Sequence, residues 1–405
     1  MHWSALTATI ALGIAATTVV ALPTLLVGGL AIVIQAEMAF GETELGIAIA
    51  TSFAAAALAA APAGRLAEHF GPRATTWLGL ACAATSMLGI GLIADSWILL
   101  VAFLAVAGIG ITTVQLGVNV LMARGVPARR QGLAFGTKQA AVPLASLLAG
   151  LALPVIGLTI GWQAAFVIGA MLVPLVAWRM PDAPRGPRRA PASGSGDAPL
   201  GALTLLAVGV ALASAGGNST PAFIIPSLVD RAFEPGHAGL VLAGGSVAGI
   251  VVRVLIGWVS DRLGRGSLLI ITALIGAGIV GFLGLAITDH PVLIVVFTAL
   301  AFGGGWGWGG LVPLAVARTN PEAPGRAMGI VQVGPMSGAV VGPVVFGTLA
   351  EQATFGAAWS AMAVLAGLGI VTILLSRRRL MHASKPATGE AGSLEHARVG
   401  DRRQR

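Results

Sequence analysis

Charge is scarce in this chain of 405 residues: Asp, Glu, Lys and Arg together make up 10% of it, against about 25% in an ordinary soluble domain. Cysteine is scarcer. The single Cys82 lies in an apolar run, which excludes an internal disulfide and leaves a thiol that behaves as a small hydrophobe. Asp and Glu are missing from the interior of every long apolar run. No Gly-x-x-x-x-Gly-Lys-Ser/Thr phosphate loop occurs, which excludes an ATP-driven pump on this chain. The six histidines show no metal-ligand spacing, and no Ser/His/Asp set puts a nucleophile in an apolar run. No metal, cofactor or enzymatic activity is therefore expected. A Lys/Arg-led signal peptide with a cleavage pattern is also missing, so residues 1–33 read as a retained first membrane span.

What the chain has instead is apolar bulk. Hydrophobic residues are 56% of the sequence, with 57 glycines and a mean hydropathy of +0.89. A soluble fold of this size has no interior large enough for that surface, so lipid is the solvent for most of the chain. A spanning helix needs roughly 20 mostly apolar residues. Breaking the sequence at charges and turn residues predicts an all-α integral membrane protein with twelve spans. Spans 1 to 6 fall near residues 7–33, 44–63, 75–94, 98–122, 132–156 and 163–179. Spans 7 to 12 fall near 201–227, 237–256, 267–287, 292–317, 327–349 and 357–376. Tight turns at Asp95-Ser96-Trp97 and Asp289-His290-Pro291 separate spans 3 from 4 and 9 from 10.

The net charge of +8 is explained by where the cations lie. Twelve spans put both termini on one face. Of the 24 Lys and Arg, 21 fall in the loops and tail of that face, and only Arg231 in a loop of the other. Positive residues mark the cytoplasmic side. The expected placement is a multi-pass protein of the cell's inner (plasma) membrane with both termini cytoplasmic, and no nucleic-acid partner. Residues 181–200, rich in Pro, Gly and Ser, read as a cytoplasmic linker between six-helix bundles over 1–180 and 201–376. The polar tail over 377–405 reads as disordered, with Arg377, Arg378 and Arg379 anchoring the last helix at the anionic inner leaflet.

The two bundles repeat one another at an offset of 193 residues. Gly64-Arg65-Leu66-Ala67-Glu68-His69-Phe70-Gly71 returns as Gly257-Trp258-Val259-Ser260-Asp261-Arg262-Leu263-Gly264, and Gly136 and Gln139 return as Gly329 and Gln332. Parallel repeats in a hydrophobic chain imply a transporter whose substrate site lies between the halves.

The loop motif resembles the signature of the major facilitator superfamily between spans 2 and 3, Gly-x-Leu-Ala-Asp-Arg-x-Gly-Arg-Arg. Here it reads Gly64, Arg65, Glu68, Gly71 and Arg73, with a second copy between spans 8 and 9 at Gly257, Asp261, Arg262, Gly264 and Arg265. The resemblance covers residues 5–378. It implies twelve helices in two six-helix halves that rock about a midplane site, with the motif as a cytoplasmic latch. Glu68 in place of Asp and His69 in place of Arg depart from the signature.

Two cations lie within predicted spans, Lys138 in span 5 and Arg253 in span 8. Ionisable residues in the bilayer are costly and mark a pathway. Neither obeys the repeat, since their counterparts are Val331 and Ala60; with no intramembrane carboxylate, two cations facing a cavity form an anion site. The competing reading is snorkelling, because the two lie only roughly 9 Å and 6 Å from their helix ends. Arg253 before Gly257-Trp258-Val259-Ser260-Asp261-Arg262 also resembles span 8 of the oxalate:formate and monocarboxylate branches. That resemblance implies an arginine that binds substrate carboxylate.

Polar neutral residues complete the expectation. Gln139 and Gln332 are repeat-related, which suits a shared hydrogen bond between helices or substrate contact. Asn218, between Gly216-Gly217 and Pro221, sits where span 7 has the residues to bend or break and contact substrate. Gln115 and Asn119 are one turn apart on span 4. Trp306, in the Gly303–Gly310 run of span 10, is either a stacking wall for substrate or helix packing.

The sequence thus predicts a secondary transporter working by alternating access on a small organic anion, a mono- or dicarboxylate, with a proton or a second anion as coupling partner. An efflux transporter for neutral or amphipathic compounds is the rival, and a transporter-like sensor a remoter one.

Overall fold

The computed structural model describes residues 3–126, 131–180, 200–263, 267–319 and 324–383. They are almost entirely helical, with short turns between the helices, and the helices realise all twelve predicted spans. Span 1 is Trp3–Gly29, continued past Leu30 by Ala31–Met38. Spans 2 and 3 share one helical run, Glu42–Leu92. Its 51 residues are far more than one bilayer crossing requires, and the run reverses at Gly71. That residue has φ +85°, a conformation that costs glycine nothing. Spans 4, 6 and 7 are Trp97–Gly125, Trp162–Trp178 and Leu200–Val229. Spans 8, 9, 11 and 12 are Pro235–Leu263, Ser267–Ile287, Pro324–Gln352 and Phe355–Ala383.

Spans 5 and 10 are broken. Span 5 runs Gln131–Gln139, restarts at Ala141–Ala152 and ends in the π-helical turn Leu153–Gly157. Span 10 starts as Pro291–Leu300, then becomes π-helical over Ala301–Trp306 and 3-10 over Gly307–Gly310, and resumes as Leu311–Thr319. A glycine of this run packs against the backbone of span 9: a Cβ on Gly304 would sit 2.6 Å from the Leu274 carbonyl oxygen. Trp308 is buried and its indole donates to the Gly305 carbonyl at 2.9 Å. Both tryptophans border the interior cavity, Trp308 from a buried, hydrogen-bonded position and Trp306 from a half-buried one.

Two expectations are corrected. Span 7 does not break at Asn218, because the helix is continuous over Leu200–Val229 with Pro221 and Pro226 inside it. The Asn218 amide instead folds back to donate to the Ser214 carbonyl and hydroxyl at 2.9 and 2.8 Å. The tail does not begin at 377, since span 12 continues to Ala383 with Leu380 buried. The linker and the rest of the tail lie outside the described residues, as do Gly264 and Arg265 of the second motif.

We call the face where span 1 begins and span 12 ends the terminal face, and its opposite the distal face. At the distal face the halves close on one another. The Thr43 amide donates to Glu351 at 2.8 Å, and a Cβ added to Gly46 or Gly347 would strike the backbone carbonyls of Pro343 and Glu42. Spans 5 and 8 meet through the Ser246–Ser146 hydroxyl pair at 2.9 Å. Within each half the distal turns are tied down. Trp162 and Gln163 donate to Glu37 at 2.7 and 2.9 Å. Arg231 donates to the Thr288 carbonyl at 2.6 Å.

Candidate functional site

A cavity of about 1250 Å³ lies between the halves. It occupies the middle of spans 1 and 7 and reaches the terminal face along spans 2, 4, 10 and 11. Most of its wall is apolar, from residues such as Leu25, Phe53 and Met336. All eight residues that the sequence singles out, Lys138, Arg253, Asn218, Gln139, Gln332, Gln115, Asn119 and Trp306, line it. Its described lining contains no Asp, Glu or His.

Lys138 is 2% exposed and Arg253 8%. Both heads point into the protein, which rules out snorkelling. Span 4 supplies the partners of Lys138. Gln115 and Asn119, one helical turn apart, turn their side-chain oxygens to the ammonium, with Lys138 Nζ donating to Gln115 Oε1 and, at 2.8 Å, to Asn119 Oδ1. An ammonium has three N–H donors, so two neutral acceptors leave one donor and the full charge uncompensated.

Arg253 is held differently, and the break in span 5 explains how. In an unbroken helix the Gln139 carbonyl would accept from the backbone N–H of residue 143. Residue 143 is proline and has none. Arg253 reaches across from the other half and donates one terminal nitrogen to this carbonyl at 2.5 Å. The second terminal nitrogen donates to the Trp306 carbonyl at 2.8 Å, at the junction of the π-helical and 3-10 turns. The guanidinium also stacks 4.9 Å from the Trp306 ring centre. Its Nε is buried without a partner. The expectation of two free cations is therefore corrected. Lys138 keeps its charge available, while Arg253 is largely committed to joining the halves.

Gln139 and Gln332 form no hydrogen bond with each other. Gln139 contributes its backbone carbonyl to Arg253, and Gln332 is exposed on the far wall. Sequence reasoning missed Thr17, whose hydroxyl lines the cavity buried and without a partner. A hydroxyl pair, Thr17-Thr18, within an apolar first span was the available signal. Pro143 was missed too, although a proline four residues after Gln139 marks a freed carbonyl.

Of the motif residues, Gly71 makes the reversal between spans 2 and 3, and Arg73 lies over the Trp77 ring at 5.5 Å. Gly64 stands at the terminal end of span 2, with exposed Arg65 and Glu68 following. Gly257 crosses Gly136. The side chains of Asp261 and Arg262 lie outside the described residues, so the second latch has no structural account.

Known proteins agree with this architecture. A family model described as Major Facilitator Superfamily matches residues 4–212 and again 206–401. An uncharacterized MFS-type transporter of Mycobacterium tuberculosis is 30% identical over 131 residues, covering 31% of this chain and 22% of that protein; the match thus spans about a fifth of the relative's length. A bacterial homolog of the human lysosomal transporter Spinster, in an inward-facing and unoccupied conformation, superposes with a TM-score of 0.71 at 14% identity, covering 96% of this chain and 100% of that one. A variant of the nucleoside transporter NupG gives 0.71 at 15% identity, covering 93% and 100%. Two six-helix repeats around a central cavity, with the family model matching each half, identify the chain as a multi-pass membrane transporter that belongs to the major facilitator superfamily.

Proposed function

We propose that this chain is a secondary transporter of the inner (plasma) membrane that moves a small organic anion, a mono- or dicarboxylate, by alternating access. The observation that carries this reading is the composition of the cavity wall: two cations and no carboxylate among its described residues. In a low-dielectric cavity such an imbalance attracts anions over neutral or cationic solutes. Lys138 is the anchor, with its third N–H donor directed at the anion. The unpartnered Arg253 Nε and Thr17 hydroxyl are further donors, while Gln115, Asn119, Asn218, Gln139 and Gln332 shape the site. With both termini cytoplasmic, as the excess of Lys and Arg on that face supports, the open cavity faces the cytoplasm. The substrate carries its own proton or exchanges for a second anion. Neither mode needs a titrating carboxylate on the wall.

Thermal unfolding of the purified protein against a panel of carboxylates, inorganic anions, amines and sugars tests this reading, because a specific ligand raises the melting temperature by mass action. The expected outcome is stabilisation by particular carboxylates that Lys138→Gln removes. Stabilisation only by neutral or cationic compounds, indifferent to Lys138→Gln, would favour efflux of neutral or amphipathic cargo.

A further inference from the structure

The 193-residue repeat pairs Gly64 with Gly257 and Gly136 with Gly329. The crossing of span 5 with span 8 at Gly136 and Gly257 therefore has a symmetry mate, span 11 with span 2 at Gly329 and Gly64. The two crossings are in opposite states. A Cβ on Gly136 would lie 3.6 Å from the Gly257 Cα, whereas a Cβ on Gly64 or on Gly329 would meet nothing within 4 Å. The 5/8 side is also bridged from Arg253 to the Gln139 carbonyl and from Ser246 to Ser146. The 2/11 side is joined at its distal end and parted at its terminal end. The cavity runs out through the gap, past Leu58 (80% exposed) on span 2 and Val333 (61% exposed) on span 11.

This opening is a slot with apolar walls at a depth where the surrounding medium is lipid. Arg65 and Arg326 stand exposed at the terminal ends of the same two spans, where headgroups lie and basic residues attract anionic heads. Lys138 lies at the inner end of the path.

We propose that the slot between spans 2 and 11 is a lateral portal for an amphipathic organic anion, whose charged head reaches Lys138 while its apolar tail lies along the slot and enters from the leaflet. The inference rests on the anion reading and narrows it to acids with a hydrocarbon tail. A tail in the slot contributes through area removed from water, roughly four-fold in affinity for each fully buried methylene.

The test is equilibrium binding of butanoate, octanoate, dodecanoate and neutral dodecanol to the protein in lipid nanodiscs, with free ligand measured by dialysis. Wild type is compared with Lys138→Gln and with Leu58→Asp/Val333→Asp. Against a charged slot that misfolds, Leu58→Cys/Val333→Cys in a Cys82→Ser background is closed by a bifunctional thiol reagent and compared with itself unreacted. We expect affinity to climb from butanoate to dodecanoate. Charging or closing the slot should weaken dodecanoate at least about ten-fold and butanoate far less, and Lys138→Gln should weaken every acid. Dodecanoate lost in Lys138→Gln but unmoved by charging and closing the slot would overturn the portal and leave the anion site standing. Dodecanol bound as tightly as dodecanoate, with Lys138→Gln without effect, would overturn the anion reading.

Discussion

Lys138 and Arg253 are both buried cations on one cavity wall, yet their partners give them opposite work. Lys138 is met by two neutral side-chain oxygens, which support an ammonium without cancelling its charge. Glutamine at 138 keeps an N–H₂ for those acceptors and removes the charge. Lys138→Gln should therefore melt close to wild type while losing its response to carboxylates, as thermal unfolding with and without ligand would record. Arg253 serves two backbone carbonyls, those of Gln139 and Trp306. Arg253→Gln leaves buried acceptors without donors, at a cost of about 1–3 kcal/mol each, so its melting temperature should fall even without ligand. A wild-type melting temperature for Arg253→Gln would contradict the bridging role. Sequence made both residues visible because a lone charge in an apolar run is conspicuous. It could not separate their roles, because the partners come from span 4 in one case and from backbone on spans 5 and 10 in the other.

At the scale of the element, prolines and glycines decide where helices stop behaving as helices. Pro143 frees the carbonyl that Arg253 takes. In Pro143→Ala an N–H becomes available to Gln139, so the Arg253 bridge loses importance. The two substitutions should be coupled: Arg253→Gln should cost less in the Pro143→Ala background, by about 0.5–3 kcal/mol in a double-mutant cycle. Strict additivity would show that Pro143 plays no part. The distal seal makes a second prediction. Gly46 and Gly347 abut opposing backbone, so Gly46→Leu should keep its helical signature but hold the distal face apart. A thiol at Thr24→Cys, in a Cys82→Ser background, should then react with a reagent applied from that face, and be protected when Gly46 is intact. The turn at Gly71 and the turns after Asp95 and Asp289 were legible in sequence, because local chemistry fixes them. The unbroken span 7 was not. Asn218 satisfies itself within its own helix, and the flanking glycines pack against span 10 and Phe282, which removes the reason to break.

For the whole molecule, the repeat supplies two equivalent crossings in different states, one closed and one open. Cysteines at Gly136 and Gly257, in a Cys82→Ser background, should cross-link readily in the state described. A pair at Gly64 and Gly329 should cross-link only in the opposite state of the cycle. Ready cross-linking of both pairs in that one state would remove the asymmetry. The twelve spans and their duplication were readable because membrane thickness and a fixed offset act on the whole chain. Which of the two symmetric seams is parted is decided by contacts in three dimensions, such as the Arg253 bridge to the Gln139 carbonyl, which periodicity in sequence does not encode.

If the cation-lined cavity between the halves carries an organic anion across the membrane, exchange in liposomes reads that transport out. Protein reconstituted in liposomes preloaded with an unlabelled carboxylate, chosen from the acids that raise the melting temperature, is given the labelled acid outside. Saturable uptake by wild type, absent in Lys138→Gln liposomes that contain equally folded protein, is the predicted result. Equal uptake by both, or exchange confined to neutral compounds, would show that Lys138 and its cavity do not carry an organic anion.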